Sequence, residues 1–557
     1  MSDLSRREFL QGAGLGAAAL VGAGGVSSLA GCAPQQSGND APPVDGGTDA
    51  ESTGTAVPSY MNRPPIGEPE ETVQADFIVC GAGGSGMAAA LQANDLGLGV
   101  ILLEKKAVAG GTFAFAGVHF APNNKYALEK GKQADTLELL NTINVYNHYI
   151  PSVLLFKKFI AETSETVNWA ESIGAQFTAV DFGGFDPFRG LSLLYGSGLE
   201  MGSEDGTLGG ASVIAAFIEE AERRGLDIRY STPAQELVVD ASGAVTGVLA
   251  TDESGKVVKF EAPAVFLATG GWGSNPDFLR ELGRVNPDKV ISSGYDGRDG
   301  DGVYMALKAG ATLGRGYETI MFYGPHLPGA TWGDNLYNGV YQPVLWVDHL
   351  GRRFMNEGGA NQMEVGSAIR DLPRMFVINS QDEIDRLTAE GGIQGFDNGG
   401  GSSGQLPDFK SKLDAQIAAG NERIFVADTI EDLAAVAGID AATLSVTVAR
   451  YNEAVDKGVD EDFGKNPDFL TPITGGPFYA FECDDGFYTT VGGIRVNDDI
   501  QALNANMEPI AGLYVGGCDC SALCGDIYDF TSAPGEQSSW ALNSGRMVAK
   551  QVAALLG

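Results

Sequence analysis

Apolar residues in this chain gather in short runs that end on glycine, and those runs alternate with stretches of helix-forming composition. Asp76-Phe77-Ile78-Val79-Cys80 reads as a strand buried on both faces, because no polar residue interrupts its apolar part. The turn Gly81-Ala82-Gly83-Gly84-Ser85-Gly86 follows, and Met87 to Asn94 then predicts a helix. Val100 to Leu103 is a second apolar strand, closed by Glu104. Further on, Leu208 to Arg224 predicts a helix and Ile228 to Tyr230 and Glu236 to Val239 predict strands. Val245 to Glu261 predicts a hairpin turning at Glu253-Ser254-Gly255-Lys256. Val265 to Leu267 and Gly512 to Val515 are apolar strands that run into small residues. Val303 to Ala309, Ile430 to Val436, Ala441 to Lys457 and Ser539 to Leu556 read as helices. Strands alternating with helices in this order predict an α/β, Rossmann-like architecture.

The first turn carries chemistry. Gly81, Gly83, Gly84 and Gly86 let the backbone turn sharply and approach a pyrophosphate, and Ser85 lies among them at the helix N-terminus. Glu104, at the end of the next strand, is spaced to accept from a ribose hydroxyl. With 78 glycines in the chain a lone glycine motif would carry little weight. Strand, turn, helix, strand and acid in register predict a dinucleotide site. Gly110-Gly111-Thr112 forms a second glycine turn shortly after Glu104-Lys105.

Together with Ala268-Thr269-Gly270 and Gly516-Gly517-Cys518, these pieces resemble the flavoprotein family of fumarate reductases, urocanate reductase and 3-ketosteroid dehydrogenases. The resemblance runs from about Ala75 to Leu556. It implies one bound FAD in a glutathione-reductase-type domain interrupted by an inserted α+β capping domain. The implied division is an FAD-binding part over 71–315, a cap over 316–479 that closes on the substrate, and a second FAD-binding part over 480–557. By the same resemblance Lys105, Gly117, Ala234 and Asp301 join the cofactor set. Gly535, Gln537 and Ser538 then open a last helix whose N-terminal amides favour negative charge on the flavin.

Members that reduce dicarboxylates hold the substrate with cations and protonate it with an arginine. The corresponding positions here carry Tyr323, Thr489, Asn361 (or Gln362) and Ser532, all neutral. A dianion meeting no fixed cation costs on the order of several kcal/mol to desolvate. The positions therefore favour a neutral substrate with an activated C=C bond, reduced by hydride from flavin N5 and protonated by a tyrosine. A slip of a few residues in the correspondence would instead let Arg352, Arg353 or Arg370 supply charge. Phe120-Ala121-Pro122-Asn123-Asn124 resembles the ketosteroid branch, and CH–CH oxidation is the alternative reaction, although that branch's final tyrosine falls at Thr531. Phenols donate protons or bind carbonyls without carrying charge, so Tyr323, Tyr341 and Tyr488 are catalytic candidates, with Tyr528 and Tyr126 behind them. Tyr323 leads by its position.

The ends and the composition complete the expectation. Ser5-Arg6-Arg7-Glu8-Phe9-Leu10 reads as a twin-arginine export motif within residues 1–32, and Leu29-Ala30-Gly31-Cys32 as a lipoprotein box that would put a lipid on Cys32. Residues 33–70, above all Gln35 to Pro65, read as a disordered tether. Roughly 490 residues remain to bury a large core. Net charge is −36, which argues against nucleic acid and leaves the anchor as the membrane contact. His119, His148, His326 and His349 show no metal spacing. Cys483, Cys518, Cys520 and Cys524 leave three readings open: buried thiols, a disulfide such as Cys520–Cys524, or an iron–sulfur cluster. With one dinucleotide turn and no haem-attachment motif, the expected partners are a small-molecule substrate and a quinol- or cytochrome-linked electron partner at the membrane, outside the cytoplasm.

Overall fold

The computed structural model describes residues 57–179, 198–201, 209–396 and 402–557. At its centre is a six-stranded sheet in the order Gln501–Leu503, Pro509–Val515, Val265–Leu267, Phe77–Cys80, Val100–Leu103 and Asp227–Arg229. All neighbours run parallel except the antiparallel edge strand Gln501–Leu503. Every side chain of Phe77–Cys80 and Val100–Leu103 is buried, which is why both strands read as unbroken apolar runs. Helix Gly84–Asp95 springs from the first strand and packs along the last helix, Glu536–Leu556. The contact is so close that a Cβ on Gly545 would overlap the Ser85 carbonyl. A second sheet, ordered Glu71–Gln74, Val257–Glu261, Val245–Thr251 and Ala234–Val239, contains the expected hairpin.

The inserted region is built around one 13-residue strand, Phe478–Thr490. Along its length it pairs with Val290–Ser292, Ile320–His326, Met375–Ser380 and Ile424–Ala427, and Leu345–Asp348 lies outside Met375–Ser380. The boundary expected between 479 and 480 therefore cuts through a strand that stays in the cap sheet as far as Thr490. Buried acids hide the strand in the sequence: Glu482, Asp484 and Asp485 interrupt the apolar pattern. Glu482 is paid off by ion pairs to Arg374 and Arg423. Helices Ile430–Ala437 and Ala441–Lys457 cover the sheet over Leu345, Phe376, Ile378 and Ala480.

The expected leader and its Cys32 lie outside the described residues, as do residues 397–401 of the loop Gly391 to Gly404. The stretch expected to be a tether is seated before it ends. Tyr60 stacks on Phe278 at 4.4 Å, Ser59 bonds Glu281, and Arg63 pairs with Asp301 and donates to the Asp299 carbonyl at 2.6 Å. An aromatic ring and an arginine with partners in reach order a segment whose overall composition reads as disordered. Among the described residues no helix is long and apolar enough to cross a membrane.

Candidate active site

The glycines of the first turn divide into two kinds. At Gly81, whose φ is +104°, a Cβ would run into the Ala268 carbonyl, and at Gly86 it would overlap the Gly81 carbonyl. A Cβ on Gly84 would sit 2.5 Å from the Phe113 ring. These three let the turn close on the end of the neighbouring strand, on the Phe113 ring and on itself. Gly83 and Gly111 instead are uncrowded, a built Cβ making only ordinary contact at 3.8 Å with the Gly110 carbonyl and the Gly83 Cα, and Gly117 meets nothing within 4 Å. Gly110 ties the two turns together by donating to the Ala82 carbonyl at 2.8 Å. The open glycines line a groove into which a cofactor backbone fits, at the C-terminal ends of the parallel strands.

Around this groove the carboxylates are held in place. Glu104 accepts from the Ala82 amide at 2.7 Å and the Lys106 amide at 2.8 Å, and burial pushes its carboxyl above the usual range. Each oxygen keeps a lone pair for a ribose hydroxyl. Lys105 and Asp301 are paired with each other. The Lys105 ammonium is spent on Asp299 at 2.8 Å and Asp301 at 2.6 Å, and Asp301 also pairs with Arg63. They brace the rim of the groove. Ser85 bonds Ser544 at 2.8 Å, and Ser544 accepts from the Gly517 amide, so Ser85 holds the two helices together. Ala234 opens its strand close to Thr232, which donates to the Glu104 carbonyl, and the Thr112 hydroxyl accepts from the Tyr295 amide.

The strand-end residues Ala268, Thr269 and Gly270 meet a residue that sequence reasoning missed. Asp519 is fully buried and accepts from the Thr269 amide at 2.5 Å and the Gly271 amide at 2.8 Å; burial lifts its pKa to about 6. The signal in the sequence is its place two residues after Gly517, directly behind the cofactor candidate Cys518. Beside it Gln537 donates to the Cys518 sulfur at 3.3 Å and Thr489 to the same sulfur at 3.5 Å. Gly535, with φ +79°, opens the last helix, and a Cβ there would lie 2.7 Å from the Val118 carbonyl. Ser538 donates to that carbonyl and to the Gly535 carbonyl.

The tyrosines separate by burial. Tyr323 is fully enclosed, bonded to Ser293 at 2.7 Å and to His326 Nδ1 at 2.6 Å. His326 Nε2 lies 3.0 Å from the Ala330 carbonyl, so Nε2 carries the hydrogen and Nδ1 accepts from the phenol. Burial raises the phenol's pKa and lowers that of the imidazole. The leading candidate is thus an interior residue whose proton is already committed. Tyr341 is packed among Tyr337, Trp346 and Phe396 in the cap core. Tyr528 is buried and accepts from the Gly535 amide, and Tyr126 bonds Glu171 on the FAD-binding side. Tyr488 is half-buried, and its hydroxyl donates to Gln362 Oε1 at 3.0 Å. Nearby, Met321, Met363, Ile527 and Phe530 form an apolar cluster that Tyr488 joins. Asn361 donates to Thr531 at 3.1 Å while capping helix Gln362–Ile369, and Ser532 is buried with no partner for its hydroxyl among the described residues.

The three arginines that could have supplied charge have their own carboxylates. Arg352 pairs with Asp348, and the exposed Arg370 lies 3.9 Å from Asp371. Arg353 lies inside the cap, paired with Glu357 and Asp460 beside the fully buried Lys465.

Residues 76–526 match the FAD binding domain family. The chain belongs to it. It is 30% identical to the urocanate reductase of Eggerthella lenta over 454 residues, covering 80% of this chain and 70% of that protein. It is 29% identical to the vinyl phenol reductase of Lactiplantibacillus plantarum over 489 residues, covering 85% of this chain and 94% of that one. Among solved structures, the fold superposes on 3-ketosteroid Δ1-dehydrogenase from Sterolibacterium denitrificans with a TM-score of 0.70 at 20% identity, over 86% of this chain and 100% of that one. This flavoprotein is an FAD-dependent oxidoreductase acting on CH–CH groups. The open glycines, the held Glu104 and the helix start at Gly535 fit its FAD.

The flavoprotein's five described cysteines are free thiols, Cys518 half-buried and the rest buried. Cys520 lies against the Gly517 carbonyl and Cys524 donates to Glu536 at 3.3 Å. Of the three readings left open by the sequence, the described residues match the buried thiols.

Proposed function

We propose that this flavoprotein reduces the activated C=C bond of a small, uncharged organic molecule, such as a hydroxystyrene or an enone, and that Tyr488 delivers the proton. What supports this reading is a set of uncharged side chains bonded to uncharged partners: Tyr488 to Gln362, Asn361 to Thr531, and Thr489 to Cys518. The cations found at dicarboxylate sites are replaced here by hydroxyls and amides. The vinyl phenol reductase, matched over nearly its whole length, supports an aryl-conjugated alkene.

Bound FAD supplies the hydride. The chain's part is to hold the alkene against the apolar surface of Met321, Met363 and Phe530 and to exclude water as the cap closes. Gln362 fixes the direction of the Tyr488 hydroxyl, so that the phenol is aimed before the negative charge develops on the substrate carbon. Its half-buried position lets the phenol be reprotonated from solvent. The free N-terminal amides of helix Glu536–Leu556 would stabilise negative charge on the reduced cofactor.

The test is anaerobic reoxidation of chemically reduced enzyme by hydroxystyrenes, neutral enones, urocanate and fumarate, with a saturated ketone and an artificial acceptor as the reverse assay. Fast reoxidation by the neutral alkenes is expected. Reoxidation by fumarate alone would overturn the assignment, and turnover of the saturated ketone alone would reverse its direction. We further propose that the enzyme is exported folded, is anchored through a lipid on Cys32, and draws electrons from a quinol- or cytochrome-linked partner at the membrane. Cys32→Ser releases it from the membrane fraction if that is so; unchanged membrane association refutes the anchor.

A further inference from the structure

One buried cation takes no part in the scheme above. Arg298 is 3% exposed, and all three of its bonds go to uncharged acceptors. Nε donates to the Tyr295 carbonyl at 2.7 Å, one terminal nitrogen to the Tyr488 carbonyl at 3.0 Å, and the other to the Ser292 hydroxyl. Among the described residues no carboxylate lies within ion-pair distance. Cys518, Asp296 and Asp299 act on it only through space, and Asp299 is bonded to Lys105. Every other deeply buried arginine or lysine described above has a carboxylate beside it: Arg353 with Glu357 and Asp460, Lys465 with Glu357. An unpaired buried cation is costly to keep, and burial holds this guanidinium down at about 10, still charged at neutral pH.

Its location accounts for its retention. Arg298 lies between two walls of the cofactor groove. A Cβ on Gly270 would sit 3.6 Å from its Cγ, and one on Gly273 would sit 2.9 Å from a terminal nitrogen. Those residues belong to the turn after Val265–Leu267. On the other side it holds the backbone of Tyr488, next to Thr489, whose hydroxyl reaches Cys518. The groove thus has a fixed positive charge with no carboxylate paired to it among the described residues.

We propose that Arg298 is the counter-charge of the reduced cofactor: when FAD takes up two electrons and one proton, the negative charge it gains is balanced by this guanidinium. At an effective dielectric near 20, a fixed charge of this kind beside a reduced flavin would favour the reduced form by roughly 10- to 100-fold. A tenfold change in a two-electron couple corresponds to about 29.6 mV.

The test is the midpoint potential of the FAD-loaded enzyme, read by dithionite titration against a reference dye. Arg298→Gln removes the charge and is expected to weaken the preference for the reduced form at least tenfold. Arg298→Lys keeps the charge but loses the three-way grip, and is expected to stay within threefold of wild type. A brace with no electrostatic role predicts that both variants lower thermal stability and leave the potential unmoved, and that result overturns the proposal. So does an unmoved potential in Arg298→Gln combined with weakened binding of a carboxylate-bearing alkene, which would assign the charge to the substrate. Should the variants fail to fold, the wild-type enzyme decides. Uptake of one proton per two electrons gives a potential slope of about 29.6 mV per pH unit between about pH 6 and 8. Twice that slope means the reduced cofactor is neutral, and refutes a counter-charge.

Discussion

Replacing Tyr323 and Tyr488 by phenylalanine, one at a time, separates a tyrosine that holds the cap together from one that does chemistry. In Tyr323→Phe the ring and its packing remain. The hydroxyl's loss strands His326 Nδ1 in the interior and frees Ser293, which is half-buried and can turn to water. One buried partner left unsatisfied costs about 1–3 kcal/mol, so unfolding should ease by about 2 kcal/mol while the rate of alkene reduction stays within threefold. In Tyr488→Phe the lost bond to Gln362 is at a half-buried site and should cost under about 1 kcal/mol of stability. Removing a positioned proton donor slows its step by about 10²- to 10⁴-fold, or roughly 3 to 5 kcal/mol of barrier. The paired assay is urea denaturation followed by flavin fluorescence, and single-turnover reoxidation of the reduced enzyme by a hydroxystyrene. The reasoning fails if Tyr323→Phe is as stable as wild type but slowed a hundredfold while Tyr488→Phe keeps its rate.

Two further outcomes follow from the geometry. Gly86→Ala places a methyl group on the Gly81 carbonyl and should yield protein without FAD, seen as loss of the flavin absorbance; a yellow variant of normal stoichiometry contradicts the packing described. Lys465 is held at about 8 by burial against an ordinary 10.5, so between those values the unfolded chain binds the extra proton and stability rises with pH, by at most roughly 3 kcal/mol. Below pH 8 the cost is fully present. Urea unfolding at pH 8 and 10 should show that rise in wild type and lose it in Lys465→Met; identical slopes would refute it.

The elements legible in the sequence are those whose burial is uniform. Phe77–Cys80, Val100–Leu103 and Val265–Leu267 are covered on both faces, so their runs are purely apolar and the glycine turns at their ends stand out. Phe478–Thr490 is just as buried, but Glu482 and Asp484 are matched by arginines distant in the chain, and no local pattern reveals such pairing. The same holds for side-chain roles. Position along the strand put Tyr323 first, yet its burial and its bond to Ser293 depend on which segments the fold brings beside that strand. Arg298 stands in the glycine- and aspartate-rich loop before Asp301, away from every position where a cation was sought, and only the folded chain shows that its acidic neighbours leave it unpaired.

The long strand from Phe478 to Thr490 has a mechanical implication. Its first half is stitched to Met375–Ser380 and Ile424–Ala427, and its last residues bear Tyr488 and Thr489 against the cofactor groove. Lever and fingertip are one stretch of backbone, so in the proposed scheme a lid that swings open on this strand would carry Tyr488 back with it, and opening for product exit would disarm the proposed acid in the same stroke.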